Sequence, residues 1–353
     1  MSDLYRMDDC KLLYHMDRVV EHYDKGRRIY PLLIDLAVTK FCNISCNFCY
    51  GIKQDLNGAK MSKKAIVNIY TEAPQLGVKA LALIGDGENT LNPAMYDGIE
   101  AGAGRIDMAM ATNGVALDDD KLKFLIERLT WLRFTVSAAS REGYQKIHGK
   151  DFWHKVERNM IRATEIKRET GSNCTLGIQT VLTPLTFDYI EEQAIFALKY
   201  GFDYYVIKQF SDPGDDRMSP FNQEWYQKVH EHLKELESMS TARTQIIPKW
   251  ETMKRQGVRS YDHCVDCPLL FQISGNGKCY PCGYLFGDDR YCYGDLEKQT
   301  LKEILDSERY WEIIEYMRYE FDVHKDCQGG CRHDASNIFI SNYLNKPQHL
   351  NFI

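Results

Sequence analysis

Leu32-Leu-Ile-Asp-Leu-Ala-Val38 runs almost directly into Phe41-Cys-Asn-Ile-Ser-Cys-Asn-Phe-Cys-Tyr50. The first stretch reads as a strand, and the second as the loop at its C-terminal end. Cys42, Cys46 and Cys49 are spaced C-x3-C-x2-C. A cubic [4Fe–4S] cluster is ordinarily held by four cysteine thiolates. A compact trio with no fourth cysteine nearby leaves one iron open to a ligand that is not protein. Half of a structural zinc site is the alternative, although zinc prefers repeated C-x2-C pairs or pairs joined by histidines.

Outward from this loop the chain alternates strand and helix. Ser62 is a natural N-cap for a helix that buries Ala65, Ile66, Ile69 and Ala73, and Pro74 should end or kink it. Val78 to Ile84 is a continuous apolar run, as a strand buried on both faces requires. Strands are expected at Asp107–Ala111, Leu132–Val136, Thr175–Leu182 and Tyr204–Ile207, with helices near 151–170 and 189–200. Asp118, Asp119 and Asp120 read as charge at a helix N-terminus. Six βα units predict an open, partial (β/α)6 barrel, with ligands gathering at the C-terminal ends of its strands. The cysteine loop lies at that end of the first strand.

The cysteine run resembles the signature of the radical S-adenosylmethionine (radical SAM) enzymes, and Phe48, before the third cysteine, fits it too. The resemblance implies that the open iron is chelated by SAM. Reductive cleavage then yields a 5′-deoxyadenosyl radical that takes a hydrogen atom from the substrate. Gly85-Asp86-Gly87-Glu88 resembles the family's second signature, which contacts the SAM amino group, with Asn89 where a proline is usual. Asn113 and Ser137, each closing a strand, resemble positions lining the SAM carboxylate and ribose. Arg141 is a candidate partner for that carboxylate or a surface residue, and His148-Gly149 resembles the loop after strand four. Lys208, Gln209 and the acidic Asp212, Asp215 and Asp216 are candidate substrate residues.

Seven further cysteines follow a helical connector. Cys267 to Cys282, through Gly277, has the form C-x9-G-x4-C, and from Cys264 it is C-x12-G-x4-C. Both resemble the opening of the SPASM domain, and Cys327 and Cys331 resemble its closing C-x3-C. Gly275-Asn-Gly277 between Leu269–Ile273 and Lys278–Tyr280 is a hairpin signal. The full SPASM pattern has two more cysteines before that close. The resemblance therefore implies a shorter, twitch-like domain with one auxiliary [4Fe–4S] cluster on Cys267, Cys282, Cys327 and Cys331, with Cys264 the rival of Cys267. A second cluster on Cys264, Cys279 and Cys292, or a zinc ribbon, are the alternatives. Cys279 and Cys292 are also candidate hydrogen-atom donors to a substrate radical. Cys174 is a third, more naturally a buried small hydrophobe.

These readings divide the chain into a lead-in (1–28), a barrel (29–210), a connector (211–260), a cysteine-rich α+β domain (261–340) and a tail (341–353). Its 353 residues suffice for one large α/β domain and a smaller one. A net charge of −6 gives no reason to expect nucleic acid. No apolar run reaches the ~20 residues of a membrane span, and the polar N-terminus lacks a signal-peptide core, so the expectation is a cytoplasmic protein with no membrane partner. Twelve cysteines there argue for clusters over disulfides. The resemblance implies a low-potential electron donor such as flavodoxin or ferredoxin. It also implies dehydrogenation or epimerisation of a small polar substrate such as a sugar, aminocyclitol or nucleotide sugar. Peptide modification, by thioether formation or epimerisation, is the alternative. It is disfavoured because only 41 residues precede Cys42, where peptide-modifying members often carry a recognition domain of ~80 residues. A non-enzymatic iron–sulfur or zinc scaffold is the third reading.

Overall fold

The computed structural model describes residues 9–49, 51, 58–211, 223–255, 258–327 and 331–352. Ser62 accepts from the Ala65 amide and opens helix Lys63–Gln75, in whose last turn Pro74 sits. The six expected strands are β1 (Leu33–Leu36), β2 (Ala80–Leu83), β3 (Asp107–Thr112), β4 (Trp131–Thr135), β5 (Thr175–Leu182) and β6 (Tyr204–Gln209). All six pair in parallel and in sequence order. Two more parallel strands flank them. β7 (Gln245–Pro248) lies beside β6, and β8 (Leu270–Ile273) lies beside β1. β7 and β8 are at opposite sides of the order and do not pair, so the barrel stays open.

β8 turns back through β9 (Lys278–Tyr280) to β10 (Gly294–Asp295), both antiparallel. The hairpin expected of a separate small domain is therefore continuous with the barrel sheet. At the other edge, Pro248 ends β7, a position where its missing N–H costs no central ladder bond.

Side chains alternate across each strand. Leu81, Leu83, Met108, Met110, Leu132, Phe134, Ile178 and Ile207 belong to the apolar core between sheet and helices. Each such aliphatic or aromatic side chain, fully buried, stabilises the fold by about 1.5–3 kcal/mol. The alternate positions form the inner face and differ in kind: Asp35, Ala82, Ala109, Arg133, Gln179 and Lys208. The helices thus hold the barrel from outside, while its inner face mixes small, polar and charged residues with Trp131, Val181, Tyr204 and Val206. Among the described residues no helix is long and apolar enough to cross a membrane.

Candidate active site

The loop after β1 is fixed by its neighbours' backbones. Glu88 N donates to Phe41 O at 2.8 Å, Ser45 N to His148 O at 3.0 Å and Asn47 N to Ile147 O at 3.1 Å. Gly87, at φ +81°, lies so close that a Cβ there would sit 2.3 Å from Thr39 O. A Cβ on Gly275, in the β8–β9 turn, would sit 2.1 Å from the Thr39 carbonyl carbon. Asn89, in the proline position, rigidifies the loop by another route, its Oδ1 accepting from Val38 N at 2.9 Å.

Cys42, Cys46 and Cys49 are half-buried and act on one another electrostatically. Burial pushes the Cys42 thiol up to about 11. His148 sits beside them, its Nδ1 3.0 Å from Cys46 Sγ. Its Nε2 accepts from the Ser137 backbone N–H at 3.1 Å, so Nδ1 carries the proton and donates to the sulfur. Burial holds His148 down to about 3, which keeps the ring neutral. Phe48 packs edge-on to His148, 5.9 Å between centroids, within a small cluster with Ile147, Val181 and Phe210. Asn113 Nδ2 donates to Asn43 Oδ1 at 2.7 Å and lies 3.9 Å from Cys42 Sγ.

Several of the expected ligand-contact residues have partners within the protein. The Glu88 carboxylate is buried and accepts from Thr90 Oγ1, Thr112 Oγ1 and Asn113 N, each at 2.7 Å. Burial raises its pKa while those donors oppose the rise. Asp86 accepts from Ser274 Oγ at 2.8 Å and Gly275 N at 2.9 Å, with Lys40 Nζ at 3.9 Å, so its carboxylate ties the β2 loop to the C-terminal hairpin. Arg141 is exposed and ion-paired with Asp151 on the surface. Ser137 is fully buried, and its Oγ accepts from Val181 N at 3.4 Å. Gln209 is buried with no partner for Oε1 among the described residues. Asp212, Asp215 and Asp216 lie outside the described residues.

The C-terminal cysteines gather at the other end of the sheet. Cys264 and Cys267 precede β8, and Cys282 follows the antiparallel β9, so all three lie at the N-terminal end of the parallel strands. Cys264 and Cys267 sulfurs are 3.3 Å apart. Cys282 and Cys331 act electrostatically on Cys267, and Cys264 and Cys327 act on Cys282. Five thiols thus converge where four are needed. Their sulfurs meet donors suited to thiolates: His333 N at 3.3 Å from Cys331, Tyr284 N at 3.4 Å from Cys282 and Asn337 Nδ2 at 3.5 Å from Cys264. Cys327 is held down to about 6 by the hydrogen bond from Cys331, with Arg259 beside it.

Cys279 and Cys292 are placed elsewhere. Cys279 is fully buried in the core on β9 and donates to Gly277 O, while Cys292 Sγ donates to Gly294 O at 3.4 Å. They neighbour each other at the β9–β10 edge, two strands beyond β1. Cys174 is likewise buried in the core.

A radical SAM superfamily model matches residues 36–197, and a model for the SPASM iron–sulfur cluster-binding domain matches residues 269–332. Residues 36–197 are a radical SAM domain, and a SPASM domain follows it. A probable GTP 3′,8-cyclase of Saccharolobus islandicus is 29% identical over 143 residues, 40% of this chain and 46% of that protein. One from Methanothermobacter marburgensis is 30% identical over 138 residues, 38% and 44% of the two chains. The match spans about half the length of these relatives. Among solved structures, Streptococcus suis SuiB bound to S-adenosylmethionine superposes with a TM-score of 0.65 at 16% identity, covering 89% of this chain and 75% of that one. The enzyme anSMEcpe with bound AdoMet gives 0.61 at 17%, covering 92% and 97%.

A radical SAM domain and a SPASM domain imply S-adenosylmethionine and [4Fe–4S] clusters as cofactors. The donor sets fit them, with three thiols at the C-terminal ends of the strands and five at the N-terminal ends.

Sequence reasoning missed the residues between the two sites. Arg332, next to Cys331, bonds the inward Asp35 of β1 twice, at 2.6 and 2.9 Å. Gln272 on β8 is the register partner of Asp35 and lies 3.4 Å from His333 Nε2. His333 Nδ1 meets Asp266 at 2.8 Å, and both side chains are buried beside Cys264 and Cys267. The available signal was polar residues at alternate strand positions, as in Trp131-Leu-Arg133-Phe-Thr135.

Proposed function

We propose that this chain is a radical SAM oxidoreductase that removes hydrogen from a small polar molecule held inside the barrel. One observation carries the reading: an inner face with polar and charged side chains lies between two thiol-rich sites at opposite ends of the same sheet. When bound, SAM and its cluster supply a 5′-deoxyadenosyl radical, and the auxiliary cluster supplies an electron acceptor. The chain's part is placement. Ala82 and Ala109 leave room, Gln179 and Gln272 present amides to hydroxyl groups, and the apolar outer core keeps water from the far side of the sheet. A substrate oxidised here loses one hydrogen atom, then one electron and one proton, the proton leaving to water.

Dehydrogenation is favoured over epimerisation because Cys279 and Cys292 are committed to the hairpin core and edge. The sequence relatives are named for GTP, a polar small molecule. A peptide, such as the precursor SuiA bound by SuiB, is the competing substrate class. The likeness to SuiB, at 16% identity, concerns fold alone. A low-potential flavodoxin or ferredoxin would feed the first site.

Anaerobic reconstitution should load about eight irons per chain, two cubic clusters, and dithionite should then release 5′-deoxyadenosine from SAM. Replacing Cys42, Cys46 and Cys49 together by alanine should leave about four irons and no release. Unchanged SAM cleavage in that variant would sink the assignment.

A further inference from the structure

Two basic side chains on the inner face of the barrel, Arg133 and Lys208, have further basic groups close by. Arg133 stands on the inner face of β4, Lys208 on that of β6, Lys249 directly after β7, and Arg332 behind Cys331. Tyr204 lies across Gly177 of the adjacent strand and engages the Arg133 guanidinium, which also sits 5.2 Å from the Trp131 ring centroid. The Arg133 Nε is buried with no hydrogen-bond partner among the described residues. Lys208 likewise has no recorded anion beside it among those residues. The charges that act on it are Arg133, Arg332 and Lys249, and with burial they push it down to about 8. The carboxylate whose charge reaches Arg133 is Asp35, and Arg332 already engages both of its oxygens.

Like charges gathered on a half-buried face are costly unless a counter-charge joins them. A single carboxylate would offset one of them. A phosphate, with up to two charges and three acceptor oxygens, suits a fork and an ammonium together. We propose that Lys208 and Arg133 form an anion subsite that holds the phosphate or diphosphate group of a phosphorylated small-molecule substrate. This rests on the interior being the substrate cavity. It narrows the substrate to molecules whose reacting carbon lies above that group, toward the cysteine loop.

The test uses the reconstituted holoenzyme with SAM present, titrated with inorganic pyrophosphate, inorganic phosphate or acetate by calorimetry. Pyrophosphate should bind, phosphate more weakly, and acetate not detectably. Lys208→Met and Arg133→Met should each weaken pyrophosphate about tenfold or more, the loss of one charge-assisted hydrogen bond. Lys208→Arg should stay within a few-fold of wild type, which separates lost charge from lost folding. Absence of pyrophosphate binding, equal binding by acetate, or undiminished binding by both methionine variants overturns the proposal. Deoxyadenosine release is measured on the same wild-type sample. Release without pyrophosphate binding defeats the subsite and spares the radical reading. Binding without release supports the subsite and defeats that reading.

Discussion

His148 meets Cys46 through a nitrogen whose protonation the backbone decides. The Ser137 N–H can only donate, so Nε2 must accept and Nδ1–H must point at the sulfur. A donor to a cluster thiolate stabilises the more negative, reduced state. His148→Ala should therefore make the catalytic cluster harder to reduce, by on the order of 60 mV if about 1.4 kcal/mol of that preference is lost. His148→Gln, which keeps a donor, should recover part of the shift. An EPR-monitored redox titration reads both, and an unmoved potential would make the contact a packing feature only. Lys208 carries the second prediction at this scale. Its ammonium, facing Arg133, Arg332 and Lys249, loses its charge as pH rises through about 8, while the arginines keep theirs. Pyrophosphate affinity should fall above that pH and should fall less in Lys208→Arg. Parallel pH profiles for the two proteins would contradict it.

Among elements, the β8–β9 turn matters most to the cysteine loop. Gly275 abuts Thr39 where no Cβ fits, so Gly275→Ala must push the turn or the loop away. We expect this single methyl to cost about 1–3 kcal/mol in overpacking and to lower iron at the Cys42 site while the auxiliary site stays loaded. Iron counting with and without the auxiliary cysteines distinguishes the two, and full occupancy of the first site would refute the coupling. The turn itself was legible from Gly275-Asn-Gly277, and Ser62 announced its helix, because both are local preferences. β7 was not legible. Gln245-Ile-Ile-Pro248 is four residues ending in proline, and it becomes a strand only because β6 offers an open edge.

Across the molecule, one sheet carries both cysteine sites. Asp86 spans the join, holding Ser274 and Gly275 of the C-terminal hairpin from the loop after β2, with Lys40 buried beside it. Asp86→Ala would strand that ammonium and two donors. Breaking a buried charge pair from one side costs about 3–5 kcal/mol. Anaerobic denaturant unfolding should show that loss as one shared transition for barrel and hairpin. A cost below about 1 kcal/mol, within the range of surface ion pairs, would mean that the tie is incidental.

Spacing alone determined that three thiols at Cys42, Cys46 and Cys49 share one loop, that a βα repeat follows them around a barrel, and that a second cysteine group lies near the C-terminus. Those features depend on neighbours in the chain: a period of two or of 3.6, a cap, a turn. Only the tertiary structure decided what each polar side chain faces. Asp86 and Glu88 turned inward to the scaffold, Arg141 turned out to Asp151, and Cys279 sank into the hairpin. Arg133, Lys208 and Arg332 converged from β4, β6 and the C-terminal loop. The reason is that charge and burial act through space, and residues 199 positions apart (Arg133 and Arg332) become neighbours only when the sheet closes around them.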